Sequence, residues 1–197
     1  ALHEELRTAL RHSVARAAGA GGEVGAFLSG GLDSSSVAGM LAEVRPGPAR
    51  TFSIGFEAEE YNELGFARLA ARRFKLDSVE LEVKPADVTE AIPKLAAAFD
   101  EPFGNSSAVP TYWCARTARE RGVTHLLAGD GGDELFGGYL YFHKAPNARE
   151  FHEELVRKLD ALHSFDCLRA NKSMMAWGVE PRVPFLAGSN SADTAGN

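Results

Sequence analysis

The sequence predicts an α/β protein built on a parallel twisted sheet with helices on both faces. Segments typical of strands alternate along the chain with segments typical of helices, which favours a parallel sheet over an antiparallel one. Glycine-rich turns follow the first and the fourth predicted strands. Since ligands of such sheets bind beyond the carboxyl ends of the strands, these turns mark the expected site.

Four segments are predicted to form strands, and they are residues 24–28, 51–56, 78–83 and 123–128. The first is a short apolar run, as expected for a buried strand. In the third, Val79, Leu81 and Val83 alternate with polar residues, which indicates one solvated side and favours an edge position.

Seven segments are predicted to form helices, and they are residues 2–17, 34–44, 63–74, 86–99, 111–121, 148–160 and 163–175. Asn62 is expected to cap the third helix after an acidic turn at 57–61. Pro93 is expected to delay or kink the fourth helix, and Gly122 to end the fifth.

Composition narrows the expected partners and the expected setting of the protein. The chain has 197 residues, a net charge of −6 and 45% hydrophobic residues, so nucleic acid is not the expected partner. No apolar run is long enough for a membrane helix, and no signal peptide is evident. The two cysteines, Cys114 and Cys167, form no C-x-x-C pair, so a reducing, cytoplasmic setting is expected.

The first informative motif is Phe-Leu-Ser-Gly-Gly-Leu-Asp-Ser-Ser-Ser at residues 27–36. It lies between a predicted strand and a predicted helix, where free N–H groups and the helix dipole favour an anion. Asp33 would oppose a bare phosphate but suits a phosphate carried with Mg²⁺. The pattern is not a Walker loop and resembles the S-G-G-x-D-S-S loop of the ATP pyrophosphatases. The alternative is a Gly/Ser turn without a ligand.

The second motif is acidic and spans residues 127–139. Asp130, Asp133 and Glu134 lie among five glycines, and crowded carboxylates repel one another unless a cation or a proton intervenes. We expect Asp133 to meet Asp33 across the rim of the sheet and to share Mg²⁺ with it. The alternative is a solvated acidic turn that caps the next helix.

Together the two motifs resemble the synthetase domain of the glutamine-hydrolysing asparagine synthetases, within the ATP pyrophosphatase (PP-loop) superfamily. The segments at 138–148, 169–172 (Arg-Ala-Asn-Lys) and 182–186 (Arg-Val-Pro-Phe-Leu) strengthen the likeness, which covers roughly residues 1–186. It implies an adenine nucleotide alpha hydrolase-like fold with a helical C-terminal extension. It also implies a reaction in which ATP, with Mg²⁺, adenylates the β-carboxylate of aspartate and ammonia then displaces AMP to form asparagine.

The resemblance assigns roles to particular residues. Those implied to hold the pyrophosphate and its Mg²⁺ are Ser29, Gly30, Gly31, Asp33, Ser34 and Ser35, with Asp133 as the second carboxylate near the metal. Those implied to surround adenosine are Leu28, Ile54, Ala128 and Gly129. Asp130 stands where the family often has a glutamate that serves the acyl-adenylate step and the proton of ammonia. Tyr139 would lie near the substrate.

Two basic residues complete the implied catalytic group. Arg169 and Lys172 belong to a motif shared with the family and would face the phosphates, the alternative being a solvated basic face.

The domain organisation expected from the sequence has three parts. Residues 1–146 form the ATP-pyrophosphatase-like core, residues 147–186 the helical extension and residues 187–197 a disordered tail. The family's glutaminase domain and a downstream lysine have no counterpart, so we expect a truncated or chimeric piece that uses free ammonia. Another chain would supply the glutaminase domain, and a homodimer is among the expected assemblies.

Two alternatives to asparagine synthesis remain at this point. One is an ATP/Mg²⁺-binding fragment without turnover. The other is a relative that adenylates a different carboxylate, as β-lactam synthetases do.

Overall fold

A computed structural model describes residues 2–19, 21–57 and 62–187. Most of the predicted acidic turn, residues 58–61, and the predicted tail from residue 188 onward lie outside the described residues. The α-helices are α1 Leu2–Gly19, α2 Leu32–Val44, α3 Leu64–Phe74, α4 Pro85–Ala98, α5 Ala108–Glu120, α6 Gly132–Phe136, α7 Ala148–Ala161 and α8 Asp166–Met175. None of these helices is both long enough and apolar enough to cross a membrane.

The described strands form one parallel sheet. They are β1 Val24–Phe27, β2 Arg50–Phe56, β3 Asp77–Val83, β4 His125–Leu127 and β5 Glu180–Arg182. Their order is β3-β2-β1-β4-β5, and every neighbouring pair is parallel. The predicted α/β fold and the predicted edge position of β3 are therefore confirmed.

Strand β5 was not predicted from the sequence. It has three residues, contains Pro181 and pairs with β4 so that Leu126 lies opposite Pro181. Proline is tolerated in an edge strand because its missing N–H can face away from the partner. A segment so short shows no alternation, and only its pairing with β4 makes it a strand.

Helices pack on both faces of the sheet, as predicted. On one face, Ala26 and Leu127 form a buried cluster with residues of α1, α2 and α3. On the other face, Phe52 and Leu126 pack against residues of α5 and α8, and Val83 packs against α4. Adjacent residues such as Leu126 and Leu127 enter opposite clusters because side chains alternate along a strand.

Several helix boundaries differ from the predicted ones. Helix α4 begins at Pro85 and continues through Pro93, so that proline does not delay its start. Helix α5 begins at Ala108 after a turn in which the Ser107 N–H donates to Asn105 Oδ1 at 2.9 Å. The predicted helix 163–175 is divided into a 3₁₀ turn, Leu162–Ser164, and α8.

The strand order creates a crevice beside β1. From β1 the chain moves outward through β2 to β3, and it then returns to place β4 and β5 on the opposite side of β1. Such a reversal is the usual ligand site of an open α/β sheet. The turns that follow β1 and β4, which carry the two motifs, flank this crevice.

Candidate functional site

The turn after β1 is closed by its own serine hydroxyls. Ser29 Oγ lies 2.8 Å from Ser34 Oγ and accepts a hydrogen bond from the Gly31 N–H at 3.2 Å. Gly30 has a φ of +89°, a value that side chains of other residues rarely allow. The turn leads directly into α2, whose positive dipole end therefore faces the crevice.

The turns after β1 and β4 are in van der Waals contact at two glycines. A Cβ atom at Gly129 would lie 2.8 Å from Ser34 N, and one at Gly132 would lie 2.4 Å from Asp33 Cγ. Both distances are too short for a side chain, so glycine allows the Asp33 carboxylate to lie against the second turn. The expected meeting of the two motifs at one rim of the sheet is thus seen.

Between the two turns lies a cavity of about 1030 Å³. Ten of the residues predicted to form the site line it, and these are Ser29, Gly31, Asp33, Ser34, Ala128, Gly129, Asp130, Asp133, Tyr139 and Arg169. A cavity of this size can accommodate a nucleotide.

Five other predicted site residues are not among the residues that line this cavity, and these are Leu28, Gly30, Ser35, Ile54 and Lys172. The Leu28 side chain is buried in the core. Ile54 packs against clusters on the face that carries α4, α5 and α8. Lys172 is paired with Asp100. Their assignments to the nucleotide site stay predictions.

The carboxylates of the cavity carry crowded negative charge. Burial, together with the charges of Asp133 and Glu134, raises the pKa of Asp33. Glu134 is buried and accepts a hydrogen bond from the Tyr139 hydroxyl at 3.0 Å. Burial and the proximity of Glu134 raise the pKa of Tyr139 in turn, so this phenol stays protonated at neutral pH.

The donor set fits Mg²⁺ bound to phosphates. Within residues 2–19, 21–57 and 62–187, no group of three or more His, Cys, Asp or Glu side chains is arranged to hold a metal by itself. Mg²⁺ usually takes only one or two carboxylates, and substrate phosphates supply the other oxygens. Asp33 and Asp133, whose mutual repulsion a cation would relieve, are suitable for this role.

Arg169 also lines the cavity, and its guanidinium donates to three acceptors. Its Nη2 donates to Asp130 Oδ1 at 2.9 Å, its Nη1 to Thr111 Oγ1 at 2.8 Å and its Nε to Asp166 Oδ1 at 3.4 Å. Its side chain is only 11% exposed. Burial raises the pKa of Asp130, and the Arg169 charge opposes that rise. Arg169 therefore contacts the acid predicted to be catalytic.

Comparison with known sequences shows which family the chain belongs to. The family model described as Asparagine synthase matches residues 5–150 and 144–189. The chain belongs to the asparagine synthase family. Asparagine synthetase [glutamine-hydrolyzing] 3 of Arabidopsis thaliana is 44% identical over 174 residues, which cover 82% of this chain and 30% of the relative. Asparagine synthetase B [glutamine-hydrolyzing] of Escherichia coli (strain K12) is 39% identical over 198 residues, covering 92% of this chain and 35% of the relative.

A third relative, from Dictyostelium discoideum, is named as a probable asparagine synthetase [glutamine-hydrolyzing]. It is 42% identical over 176 residues, which cover 82% of this chain and 31% of that protein. The chain thus spans about a third of the length of these curated relatives. This resemblance to the asparagine synthases, predicted from the motifs, is confirmed.

Several residues that line the cavity were not predicted as site residues. They include Leu6, Leu10, Phe27, Leu32, Ser36, Thr111, Gly131, Gly132, Glu134, Phe136, Gly138, Leu162, Asp166, Ala170 and Phe185. Asp166 precedes Arg169 by three residues on a helix, a spacing that indicates a neighbouring pair. Thr111 carries no comparable signal, because its partner Arg169 is distant in the sequence.

Replacement of Gly132 by alanine tests the contact between the two turns. The added Cβ would lie 2.4 Å from Asp33 Cγ and would turn that carboxylate away from the second motif. We expect the affinity for Mg-ATP, measured by calorimetry, to fall roughly 10–100-fold. Gly104→Ala is the matched control, since no atom lies within 4 Å of its added Cβ. Equal affinities of the two variants would contradict the assigned contact.

Proposed function

We propose that this chain carries the site at which an asparagine synthetase activates aspartate with ATP. In the proposed reaction the β-carboxylate of aspartate attacks the α-phosphorus of ATP, and pyrophosphate leaves. Ammonia then attacks the acyl-adenylate and displaces AMP. The observation that carries this proposal is the convergence of the Ser29–Ser34 turn and the acidic turn after β4 on one cavity at the reversal of strand order.

The turn after β1 would bind the pyrophosphate. The Ser29 and Ser34 hydroxyls and the N–H groups at the start of α2 would donate to the phosphates, since the turn itself contains no lysine or arginine. Asp33 and Asp133 would hold Mg²⁺, which when bound stabilises negative charge on the leaving group. Gly30 and Ser35 would keep this turn in the conformation that binds the pyrophosphate.

Adenosine would lie beside the strand ends. Ala128 and Gly129 line the cavity there, and Leu28 and Ile54 would contribute through their backbone. Lys172 is proposed to approach the phosphates after release from Asp100, its present partner.

Asp130 would serve the second half-reaction. Neutral ammonia attacks the acyl carbon and its nitrogen becomes positively charged, so the nitrogen must lose a proton, which a nearby carboxylate can accept. Asp130 lines the cavity and stays oriented by Arg169. Tyr139, which remains a protonated donor to Glu134, would border the aspartate.

The nitrogen donor would be ammonia delivered from outside this chain. The relatives are named as glutamine-hydrolysing enzymes, and a glutaminase domain on another chain is the proposed partner. Both cysteines, Cys114 and Cys167, are free, in keeping with a cytoplasmic reaction. We also propose that the chain forms a homodimer, which a measurement of its molecular mass in solution would check.

The test is pyrophosphate release from Mg-ATP in the presence of aspartate and ammonium, with Asp33→Ala as the inactive control. Release that depends on aspartate and disappears in the control is the expected result. ATP binding without release would refute turnover and leave a nucleotide-binding fragment. Release that requires a different added carboxylate in place of aspartate would indicate another substrate, as in the β-lactam synthetases, and release without any added carboxylate would indicate only hydrolysis of ATP by water.

A further inference from the structure

Arg169 presents its guanidinium to Asp130 in a geometry that a neighbouring threonine controls. The guanidinium is a planar group with donors in fixed directions, so fixing one nitrogen restricts the others. Nη1 is bound by Thr111 Oγ1 at 2.8 Å, and Nη2 is then directed to Asp130 Oδ1 at 2.9 Å. Only one oxygen of Asp130 accepts this bond.

Thr111 is itself oriented by the backbone of its helix. Its hydroxyl donates its single proton to the carbonyl of Ser107, the residue just before α5, at 2.8 Å. The oxygen lone pairs are therefore left to accept from Arg169. Thr111 lines the cavity but is only 7% exposed, and the side chain of Arg169 is only 11% exposed, so their contact is largely shielded from water.

We propose that Thr111 is a positioning residue for Asp130 and acts through Arg169. The contact joins α5 to α8 and directs one N–H of Arg169 to the acid that would receive the proton of ammonia. Asp166, on the same helix as Arg169, binds the remaining Nε and completes the arrangement. This role rests on the proposed function, in which Asp130 receives the proton of ammonia.

The helix offers a matched control for Thr111. Thr117 donates to the Trp113 carbonyl at 3.0 Å, so it makes the same backbone hydrogen bond within α5. Thr117 does not belong to the residues that line the cavity. Thr111→Val and Thr117→Val therefore each remove one such bond, and only the first also removes the acceptor of Arg169. Thr111→Ser keeps that acceptor.

The first readout is the titration of the Asp130 carboxyl carbon by ¹³C NMR in the metal-free chain, assigned by its loss in Asp130→Asn. The charged groups near Asp130 are Arg169 and Asp166 on α8 and Glu134 on α6. A less constrained Arg169 stabilises the carboxylate less, so Thr111→Val should raise the midpoint by roughly one unit. Thr111→Ser and Thr117→Val should leave it in place. If Thr111→Val does not fold, Thr111→Ala makes the same comparison.

The second readout is the rate of aspartate-dependent AMP formation. Thr111→Val is expected to lower kcat roughly tenfold with little change in the KM for Mg-ATP. An unmoved Asp130 midpoint in Thr111→Val, or an equal shift in Thr117→Val, would overturn the positioning role. Absence of turnover in the unsubstituted chain would count against the proposed function instead, and the NMR comparison would still decide the role of Thr111.

Discussion

Mg-ATP is expected to stabilise this chain against thermal unfolding, and Asp33→Ala is expected to abolish that stabilisation. Asp33 lies in the first turn of α2, against Gly132 of the second motif and close to Asp133. A ligand at 100 times its dissociation constant contributes about 2.7 kcal/mol to the free energy of unfolding. For a chain of this length that corresponds to an increase in Tm of roughly 5–10 °C.

The dependence on the metal distinguishes this site from a simple anion site. Without Mg²⁺, the negative charges of Asp33, Asp133 and Glu134 oppose the triphosphate, so ATP with EDTA should give little stabilisation. Asp160→Ala is the matched control, since this exposed acid is not part of the cavity lining. Equal stabilisation of Asp33→Ala and Asp160→Ala by Mg-ATP would show that the nucleotide binds elsewhere.

Gly30→Ala is expected to cause the largest loss of stability among the glycine substitutions in the turn after β1. The residue has a φ of +89°, and an added Cβ would lie 2.4 Å from both Ala67 N and Phe66 C. These are backbone atoms of α3, which cannot rotate away as the end of a side chain can. Strain at positive φ costs about 1 kcal/mol, and overpacking adds about 1–3 kcal/mol. We therefore expect Gly30→Ala to lower the free energy of unfolding, measured by urea denaturation, by about 3 kcal/mol.

Gly122→Ala separates the two contributions. Gly122 also has a positive φ, of +80°, but no atom lies within 4 Å of its added Cβ. The free energy of unfolding of Gly122→Ala should therefore fall only by the cost of the positive φ, about 1 kcal/mol. If the two variants were equally destabilised, the close approach of α3 to the turn after β1 would have no energetic consequence, contrary to the packing described here.

The parallel sheet and the location of the site follow from local patterns in the sequence. Alternation of strands and helices predicts parallel pairing, and the two glycine-rich motifs follow strands whose carboxyl ends meet at one rim. The apolar alternation of β3 also predicted its edge position. These features are visible in the sequence because apolar runs, their alternation and glycine-rich turns are patterns of neighbouring residues.

The tertiary structure alone decided which side chains meet. Arg169, expected at the phosphates, binds Asp130, 39 residues away, and Thr111, 58 residues away. Lys172 pairs with Asp100 across 72 residues, and β5 exists only because β4 lies beside it. The packing of α8 against α5 decides which partners these long side chains can reach. No local spacing in the sequence encodes that packing. The sequence by itself therefore determined the fold class and the two turns of the site, whereas helix packing decided the environment of Asp130.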